Sequence, residues 1–346
     1  MIQWLALTPE QRKRVIISVA TRSGLPEKAV EKDWWVTMTL KALFTGPSGE
    51  RLLFKGGTSL SKSWKLIQRF SEDIDIALNR ESLGFSDGPI SGAQIENAQI
   101  EKLRKAACDF TKTTLKDQLF ARLIEMGIPE PSFRIFDEEG TQNADPQKLI
   151  VIYASLFDPN PYVIDQVIVE VSARSLREPF TLRRIDSFID EYSLGTNFAQ
   201  EPFDVPTVNP ERTILEKAFL LHEEFCKPLE KIKHERKSRH FHDLHETMDT
   251  EYGERAMTDT ELYKNIVTHR SAYNKIPGID YNTLLPQAID FIPPKDTWKQ
   301  WEEDYESMRQ HMIIGESPSF AILMERMEEL RGRFRKISLP ELAPIT

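Results

Sequence analysis

The chain has 346 residues, 40% of them hydrophobic and 29% charged, and its formal net charge is −9. This length suits two domains, and the apolar fraction is sufficient for a sizeable buried core. The acidic balance excludes a broad basic footprint for nucleic acid, so any contact with RNA must come from a local basic patch.

Two further features indicate the compartment. Charged residues interrupt every apolar run well below bilayer length, and the first residues, MIQWLALTPEQRKR, lack the pattern of a signal peptide. The two cysteines, Cys108 and Cys226, have no motif spacing and fit a reducing environment. We therefore expect a cytoplasmic protein with no membrane contact.

Two helices are predicted at the start of the chain. Thr8, Pro9 and Gln11 form a helix-start pattern, with a hydroxyl cap and proline in the first turn, and that helix should end near Gly24. A second helix should run from Pro26 to Phe44 with a broad apolar face. It contains the sequence VEKDWW, whose paired tryptophans are most simply explained as core.

The segment KGGTSLSKSWKLIQRFSEDIDIAL carries the first chemical motif. Glycines and hydroxyls follow an apolar run, which predicts a strand, then a turn, then a helix over Leu60–Arg69. Backbone N–H groups at such a turn can bind an anion, and glycine lets a phosphate approach closely. The candidate phosphate-binding residues are Gly56, Gly57, Thr58 and Ser59.

The second motif is the D-x-D sequence at the end of the same segment. Asp73 and Asp75 should share one face of a strand, because successive side chains on a strand alternate between faces. Two neighbouring carboxylates repel each other, and a divalent cation between them is the usual compensation.

A Walker A loop is the main alternative for this segment. Gly56–Ser63 reads GGTSLSKS, which fits the pattern except that Ser61 replaces the second glycine. That glycine permits the tight turn under the phosphates, and a P-loop leaves the D-x-D sequence without a place. We therefore reject this alternative.

Downstream, the sequence predicts a loop over residues 79–92, a long helix from Ile95 to Met126 and three strands. The strands cover Phe133–Phe136, Leu149–Leu156 and Ile164–Ser172. The last is apolar on both faces except at Glu170, and a carboxylate there needs a partner. We interpret Glu170 as a third metal ligand or a base, with Asp165 as the second choice. The structural alternative is a salt bridge from Glu170 to Arg174 or a glutamate at the edge of the sheet.

A helix is predicted over Arg183–Tyr192, followed by a proline-containing connector over residues 195–210. We place the domain boundary there, with an N-terminal domain of residues 1–200 and a helical C-terminal domain of residues 201–346. The predicted C-terminal helices are Glu211–Phe225, Arg236–Glu251, Ala256–Ala272, Trp298–Met312 and Phe320–Arg335.

Two places in the C-terminal half contain candidate site residues. Lys217 lies near the edge of the apolar face of a helix that starts at Pro210, where it could reach a phosphate or remain a solvated lysine. Arg239 and Asp243 share a helix face, with His240 beside them. The strongest basic patch of the chain, residues 227–239, ends at Arg239.

Taken together, the motifs resemble those of the polymerase β-like nucleotidyltransferase superfamily, and specifically the AbiEii/AbiGii toxin family. The resemblance rests on F-K-G-G-T-S-L with R-F-S-E-D-I-D, on P-x-R-T-x-x-E-K at residues 210–217, on S-R-H-x-x-D-L at residues 238–244, and on V-E-K-D-W-W. It covers roughly residues 25–250. The gap between the glycines and Asp73 is longer than usual, which we attribute to a longer helix.

The resemblance implies an α+β fold, with a mixed sheet flanked by helices and a helix-rich C-terminal domain that completes the site. It implies transfer of a nucleoside monophosphate from an NTP, with the acceptor end of tRNA as acceptor, by a toxin of a toxin–antitoxin or abortive-infection system with a cognate antitoxin. Asp73, Asp75 and Glu170 would hold two Mg²⁺ ions, with Mn²⁺ as a substitute. Lys217, Arg239 and His240 would bind the nucleotide, and Asp243 would complete the site.

Two other functions remain open at this point. An HD-type metal phosphohydrolase would use His242 and Asp243 together with His222 and Asp249, but it leaves the D-x-D sequence unexplained. A non-catalytic nucleotide-binding partner protein would have no reason to keep a carboxylate inside an apolar strand.

Overall fold

The computed structural model describes residues 2–86, 97–138, 142–159, 163–174, 178–274, 276 and 278–339. They fall into two compact units. The first extends to Val208, and the second begins at Asn209 and also includes Leu66–Gln68. Strands lie in the first unit and the second is helical, which confirms the α+β prediction.

The two N-terminal helices form as predicted. Helix α1 covers Pro9–Ser23, and Thr8 and Gln11 form a reciprocal capping box at its start. Helix α2 covers Glu27–Phe44. Trp34 and Trp35 are buried on α2, and the Trp35 ring stacks on Tyr153 with 5.0 Å between ring centroids, which confirms that the tryptophan pair belongs to the core.

The first unit contains a seven-stranded mixed sheet in the order β3-β4-β5-β2-β1-β7-β6. The pairs β2/β5 and β1/β7 are parallel, and the other neighbours are antiparallel. The strands are β1 Leu52–Lys55, β2 Ile74–Leu78, β3 Phe133–Asp137, β4 Gln147–Tyr153, β5 Gln166–Ser172, β6 Phe180–Ile185 and β7 Phe203–Val208.

The remaining helices of this unit are short or irregular. They are α3 Gly56–Lys62, α4 Asn97–Asp109, a π-helical stretch Phe110–Leu115, α5 Lys116–Glu125 and α6 Phe188–Tyr192. The predicted long helix is confirmed from Asn97 to Glu125, with the π-helical stretch in its middle. The first two residues of the predicted helix and residues 87–92 of the preceding loop lie outside the described residues.

The predicted helix over Leu60–Arg69 was wrong at both ends. Helix α3 begins earlier, at Gly56, and ends at Lys62. The chain then reverses, with Lys65 at φ 53°, so that β2 can pair antiparallel with β1. The extra residues before Asp73 therefore form an irregular connection and not a longer helix.

The predicted helix over Arg183–Tyr192 and the connector after it were also partly wrong. Residues up to Ile185 belong to β6, and only Phe188–Tyr192 is helical. The connector contains β7, which pairs with β1 on one side and β6 on the other. Pairing with a distant strand decided the conformation of a segment for which the sequence predicted a helix.

Strand β4 ends at Tyr153, three residues before its predicted end at Leu156, because the next residues bond to α2. Glu31 accepts a hydrogen bond from the Ser155 hydroxyl at 2.6 Å and from the Leu156 backbone N–H at 2.7 Å. Burial raises the pKa of the Glu31 carboxyl, and these hydrogen bonds oppose that shift.

Helix α2 also carries two buried lysines one turn apart that bind the strands beneath it. Lys32 donates hydrogen bonds to the Glu72 carboxylate and to the Ile164 carbonyl oxygen, the latter at 3.0 Å. Lys28 forms an ion pair with Asp165. The lysines of the VEKDWW sequence region thus hold the starts of β2 and β5 together.

The second unit has six helices among its described residues. They are α7 Pro210–Phe225, α8 Arg239–Thr247, α9 Glu251–Thr258, α10 Thr260–Tyr273, α11 Trp298–His311 and α12 Phe320–Phe334. The predicted helix over Ala256–Ala272 is divided, because the Asp259 side chain caps a new helix by accepting the Leu262 N–H at 2.9 Å. No helix in the described part of the chain is long and apolar enough to cross a bilayer.

Candidate active site

Four charged residues occupy one level of the sheet in the first unit, and we call them the charged row. Lys55 on β1 pairs with Asp75 on β2, Asp75 pairs with Glu170 on β5, and Glu170 pairs with Lys148 on β4. Residues that pair in register on adjacent strands point to the same face of the sheet. The row therefore places two carboxylates side by side, with a lysine at each end.

The D-x-D residues take the positions that the alternation predicted. Asp75 lies within β2, and Asp73 directly precedes the strand. Both are half-buried, whereas Ile74 and Ile76 between and beyond them are buried. Asp73 and Asp75 thus share the more open face of the strand.

Gly56 lies directly against one of these carboxylates. Its φ is +78°, and a Cβ atom at this position would lie 1.9 Å from Asp75 Oδ2. Any larger residue would clash with the carboxylate and would also adopt a strained backbone. The first glycine of the motif is thus required by the approach of the Asp75 side chain.

The two hydroxyls of the motif serve the protein itself. Thr58 is buried, and its Oγ1 donates to the Asp73 backbone carbonyl and bonds to the Ser71 hydroxyl at 2.9 Å. Ser59 is buried too and donates to the Gly56 carbonyl at 2.9 Å. Thr58 therefore ties the start of α3 to the backbone of the D-x-D motif.

The structure separates the two candidates for the third acid. Glu170 lies beside Asp75 in the charged row, and its Oε1 is 3.5 Å from Lys148 Nζ. Asp165 is held by Lys28 at the start of β5. The structural alternative for Glu170 was a salt bridge to Arg174 or a position at the sheet edge. Glu170 contacts Lys148 and lies on an interior strand, while Arg174 Nε lies 4.0 Å from Asp145.

The two carboxylates of the charged row, together with Asp73, have the donor chemistry of a site for hard divalent cations. Asp73, Asp75 and Glu170 offer carboxylate oxygens, the ligands that Mg²⁺ takes from proteins. Among the described residues, no three His, Cys, Asp or Glu side chains already form a group that could hold a metal. The residues fit a cation chemically, with substrate and water as further ligands.

Lys217 and Asp243 form a buried ion pair in the second unit. Lys217 Nζ on α7 is 2.7 Å from Asp243 Oδ2 on α8, and both side chains are buried. The sequence predicted separate contributions from these residues, and the structure brings them into direct contact. Burial, together with the Asp243 charge, raises the pKa of the neighbouring Glu246 carboxyl.

Arg239 and His240 begin α8, and a residue from a later helix fixes the preceding turn. Asp304 on α11 accepts the backbone N–H of Arg236 at 2.6 Å and that of Ser238 at 3.0 Å. It also accepts the Ser238 hydroxyl. Arg236 has a positive φ of 58° in this turn. Arg239 and His240 themselves are half-buried.

The residues of the phosphohydrolase alternative bond elsewhere. The His222 ring contacts the Thr283 hydroxyl at 2.8 Å and the Asp290 carbonyl at 2.9 Å. Asp249 pairs with Arg326 and Arg333, and Asp243 pairs with Lys217.

The lysine of the Walker-like sequence, Lys62, is buried in a 2.6 Å ion pair with Asp33.

Sequence reasoning missed three residues of this arrangement. Lys148 and Lys32 carry no local signal, because a lysine in a predicted strand or helix is usually solvated. Asp304 lies in a predicted helix more than sixty positions from its partners. Only pairing between distant elements identifies these residues.

Comparisons with known proteins identify the family of this chain. The sequence model of the family described as nucleotidyl transferase AbiEii toxin, type IV toxin–antitoxin system, matches residues 39–329. The match extends well beyond residue 250, where the resemblance in the sequence motifs ended. No curated protein sequence gives a significant match.

Two solved structures match this chain, and the first of them is similar in fold. MenT4, a nucleotidyltransferase toxin from Mycobacterium tuberculosis, is 15% identical, with a TM-score of 0.54 over 96% of this chain and 91% of that chain. JHP933 from Helicobacter pylori is 14% identical, with a TM-score of 0.41 over 90% of this chain and 94% of that chain. With the charged row, the buried Lys217–Asp243 pair and a family match over most of its length, this chain belongs to the AbiEii family of nucleotidyltransferase toxins of type IV toxin–antitoxin systems.

Proposed function

We propose that this toxin transfers a nucleoside monophosphate from an NTP to the acceptor end of tRNA and that two Mg²⁺ ions assist the transfer. We also propose that the protein acts in the cytoplasm. Family membership implies the nucleotidyltransferase activity, the NTP substrate and a cognate antitoxin. One observation supports the assignment of the metal ligands. Asp75 pairs in register with Glu170 on the adjacent strand, and Asp73 lies two residues before Asp75 on the same face.

Asp73, Asp75 and Glu170 would hold the cations. Bound divalent cations neutralise the triphosphate and lower the pKa of the attacking hydroxyl. The hydroxyl oxygen forms a bond to the α-phosphorus, the bond to the bridging oxygen breaks, and pyrophosphate leaves. The hydroxyl proton is released to solvent or to a carboxylate of the row.

The other residues of the first unit set the position of these acids. Gly56 allows the Asp75 carboxylate to lie against the start of α3. Gly57 follows it in the sequence, and a residue without a side chain there would let a phosphate approach the backbone closely. Thr58 holds the Asp73 backbone through its hydroxyl, and Ser59 stabilises the first turn of α3. We assign these residues to the triphosphate-binding part of the site.

In the second unit, we assign Lys217, Arg239 and His240 to nucleotide binding. Lys217 gives one N–H to Asp243, which orients the ammonium, and an ammonium group carries further N–H donors that suit phosphate oxygens. Arg239 at the start of α8 supplies a planar donor for the same anion. Asp243 acts by positioning Lys217, and removal of its charge would leave the lysine buried without its counterion.

The assignment of tRNA follows the family resemblance and the local basic segment before α8. Residues 227–239 include six Lys and Arg residues, although the chain as a whole is acidic. Two of them, Lys227 and Lys237, bind Glu224. A local excess of positive charge in this segment would attract a nucleic-acid backbone.

The experiment is transfer from each α-labelled NTP to total tRNA with Mg²⁺. Asp73→Asn and Asp75→Asn should abolish labelling and keep the fold, because they remove charge with almost no change in shape. Asp137→Asn, a half-buried aspartate on β3 outside the charged row, serves as the matched control and should label normally. Label on the protein in place of tRNA would replace the acceptor assignment, and full activity of Asp75→Asn would refute the site.

A further inference from the structure

The charged row contains a lysine to which the proposed reaction gives no role. Like charges that face each other on adjacent strands destabilise a sheet, and Asp75 faces Glu170 in this way. Lys148 extends the row by one strand and pairs with Glu170. The 3.5 Å contact between Lys148 Nζ and Glu170 Oε1 partly compensates the repulsion of the two carboxylates.

This contact differs from the structural ion pairs nearby. Lys32 with Glu72 and Lys62 with Asp33 are buried pairs, which cannot separate without leaving a charge out of water. Lys148 and Glu170 have 33% and 30% of their side chains exposed. An ion pair open to solvent contributes little and exchanges partners easily.

We propose that Lys148 is a further substrate-binding residue, which neutralises Glu170 in the metal-free protein and binds the triphosphate once a divalent cation has taken that carboxylate. This inference rests on the proposed function, because it requires Glu170 to be a metal ligand. It assigns two successive partners to one ammonium group.

The argument is one of competition for a single anion. The Lys148 ammonium and a divalent cation both bind the Glu170 carboxylate, so each weakens the binding of the other. The lysine side chain has a flexible four-carbon stem. When a cation binds the Glu170 carboxylate, the Lys148 ammonium therefore stays near the charged row and can bind another anion. A triphosphate bound beside the cation would offer anionic oxygens as a second partner for this ammonium group.

The decisive variant is Lys148→Gln, with binding of Mn²⁺ alone and of inorganic tripolyphosphate measured by calorimetry. Mn²⁺ should bind roughly two- to fivefold more tightly, because a competing surface ion pair is gone. Tripolyphosphate in saturating Mn²⁺ should bind roughly five- to tenfold more weakly, because a charge-assisted contact is lost. A purely structural lysine would not move the two affinities in opposite directions.

Three other proteins complete the comparison. Lys116→Gln removes a lysine of similar exposure, 30%, that is paired with Asp137 at 2.6 Å outside the charged row, and it should change neither affinity. Lys148→Arg keeps the charge and should retain tripolyphosphate binding. Glu170→Gln releases Lys148 without any metal, so tripolyphosphate in chelator should bind several-fold more tightly than to the natural protein.

The outcomes separate this inference from the proposed function. Weaker Mn²⁺ binding, or unchanged binding of both probes, in Lys148→Gln would overturn the role of Lys148. If the glutamine variant does not fold, unchanged metal-free tripolyphosphate binding by Glu170→Gln would overturn it equally. Mn²⁺ binding that survives Asp75→Asn would instead refute the metal site of the proposed function.

Discussion

Gly56 shows how one residue of the motif serves two demands. Its positive φ lets α3 start directly after β1, and its missing side chain leaves room for the Asp75 carboxylate. The sequence analysis explained this glycine by the close approach of a phosphate to the backbone. The structure adds a closer reason, because the carboxylate itself occupies the space of a Cβ atom.

Gly56→Ala should lose nucleotidyl transfer almost completely while the protein still folds. The left-handed backbone alone costs an L residue about 1–2 kcal/mol of stability, and the new methyl group must displace Asp75. Gly84→Ala is the matched control, since Gly84 has φ +84° and, among the described residues, no atom within 4 Å of the place where a Cβ would lie. Comparable unfolding free energies with transfer lost only in Gly56→Ala would support this; equal activities would contradict it.

At the scale of elements, α2 connects to the site through its buried charges. Lys32 reaches Glu72, next to Asp73, and also the Ile164 carbonyl before β5. The two strands that it holds carry the acids of the charged row. The VEKDWW sequence is therefore explained by the support of the site as well as by its tryptophans.

Lys32→Met should destabilise the protein by about 3–5 kcal/mol, because the substitution removes a buried positive charge that is paired with the buried Glu72 carboxylate. The double variant with Glu72→Met should be less destabilised than the sum of the two single variants. Guanidinium unfolding of all four proteins measures this coupling. Additive losses would show that the pair is not energetically linked.

Helix α7 also carries a buried histidine, His222, whose protonation affects the stability of the fold. Burial lowers the pKa of the His222 imidazole, while its contact with the Asp290 backbone acts in the opposite direction. The folded protein therefore binds this proton less readily than the unfolded chain. The neutral His222 ring therefore stabilises the fold at neutral pH. This contribution should decrease as the pH falls from about 6.5, the pKa of histidine in the unfolded chain, towards the lower pKa of His222 in the folded protein.

His222→Gln should weaken this acid sensitivity. Between about pH 7 and pH 5, the unfolding free energy of the natural protein should fall by about 1.4 kcal/mol for each unit that separates the two pKa values. The variant should show a shallower slope, with His234→Gln as the control. An unchanged slope in His222→Gln would assign the sensitivity to other groups.

At the scale of the whole molecule, the family match extends to residue 329. It therefore includes most of the C-terminal residues in the family's sequence pattern, which the motifs did not. The sequence motifs ended near residue 250, and nothing in the last hundred residues suggested a role. In the second unit, Asp304 on α11 holds the turn from which Arg239 and His240 extend. A late helix thus sets the conformation of an earlier motif.

Asp304→Ala should raise the KM for NTP about tenfold, equivalent to about 1.4 kcal/mol, because the turn before Arg239 loses its acceptor. The value of kcat should change less, since Asp304 touches no reacting atom in the proposed mechanism. Asp296→Ala, an exposed aspartate just before α11, provides the comparison. A normal KM in Asp304→Ala would show that the turn holds without this side chain.

Local chemistry determined much of this protein from its sequence. The capping box of α1, the alternation around Asp73 and Asp75, and the apolar strand around Glu170 depend on neighbours within a few residues. Such features follow from periodicity and hydrogen bonding along the chain. The motifs that indicated a nucleotidyltransferase are all of this kind, and the family match agrees with them.

Tertiary structure decided what lies between distant segments. Residues 180–185 and 203–208 became strands because β1 offered a free edge to β7, which no local pattern reveals. The charged row joins four strands from separate parts of the chain. Lys148, Lys32 and Asp304 acquire their partners only through folding, because electrostatic pairing depends on distance in space and not on separation in sequence.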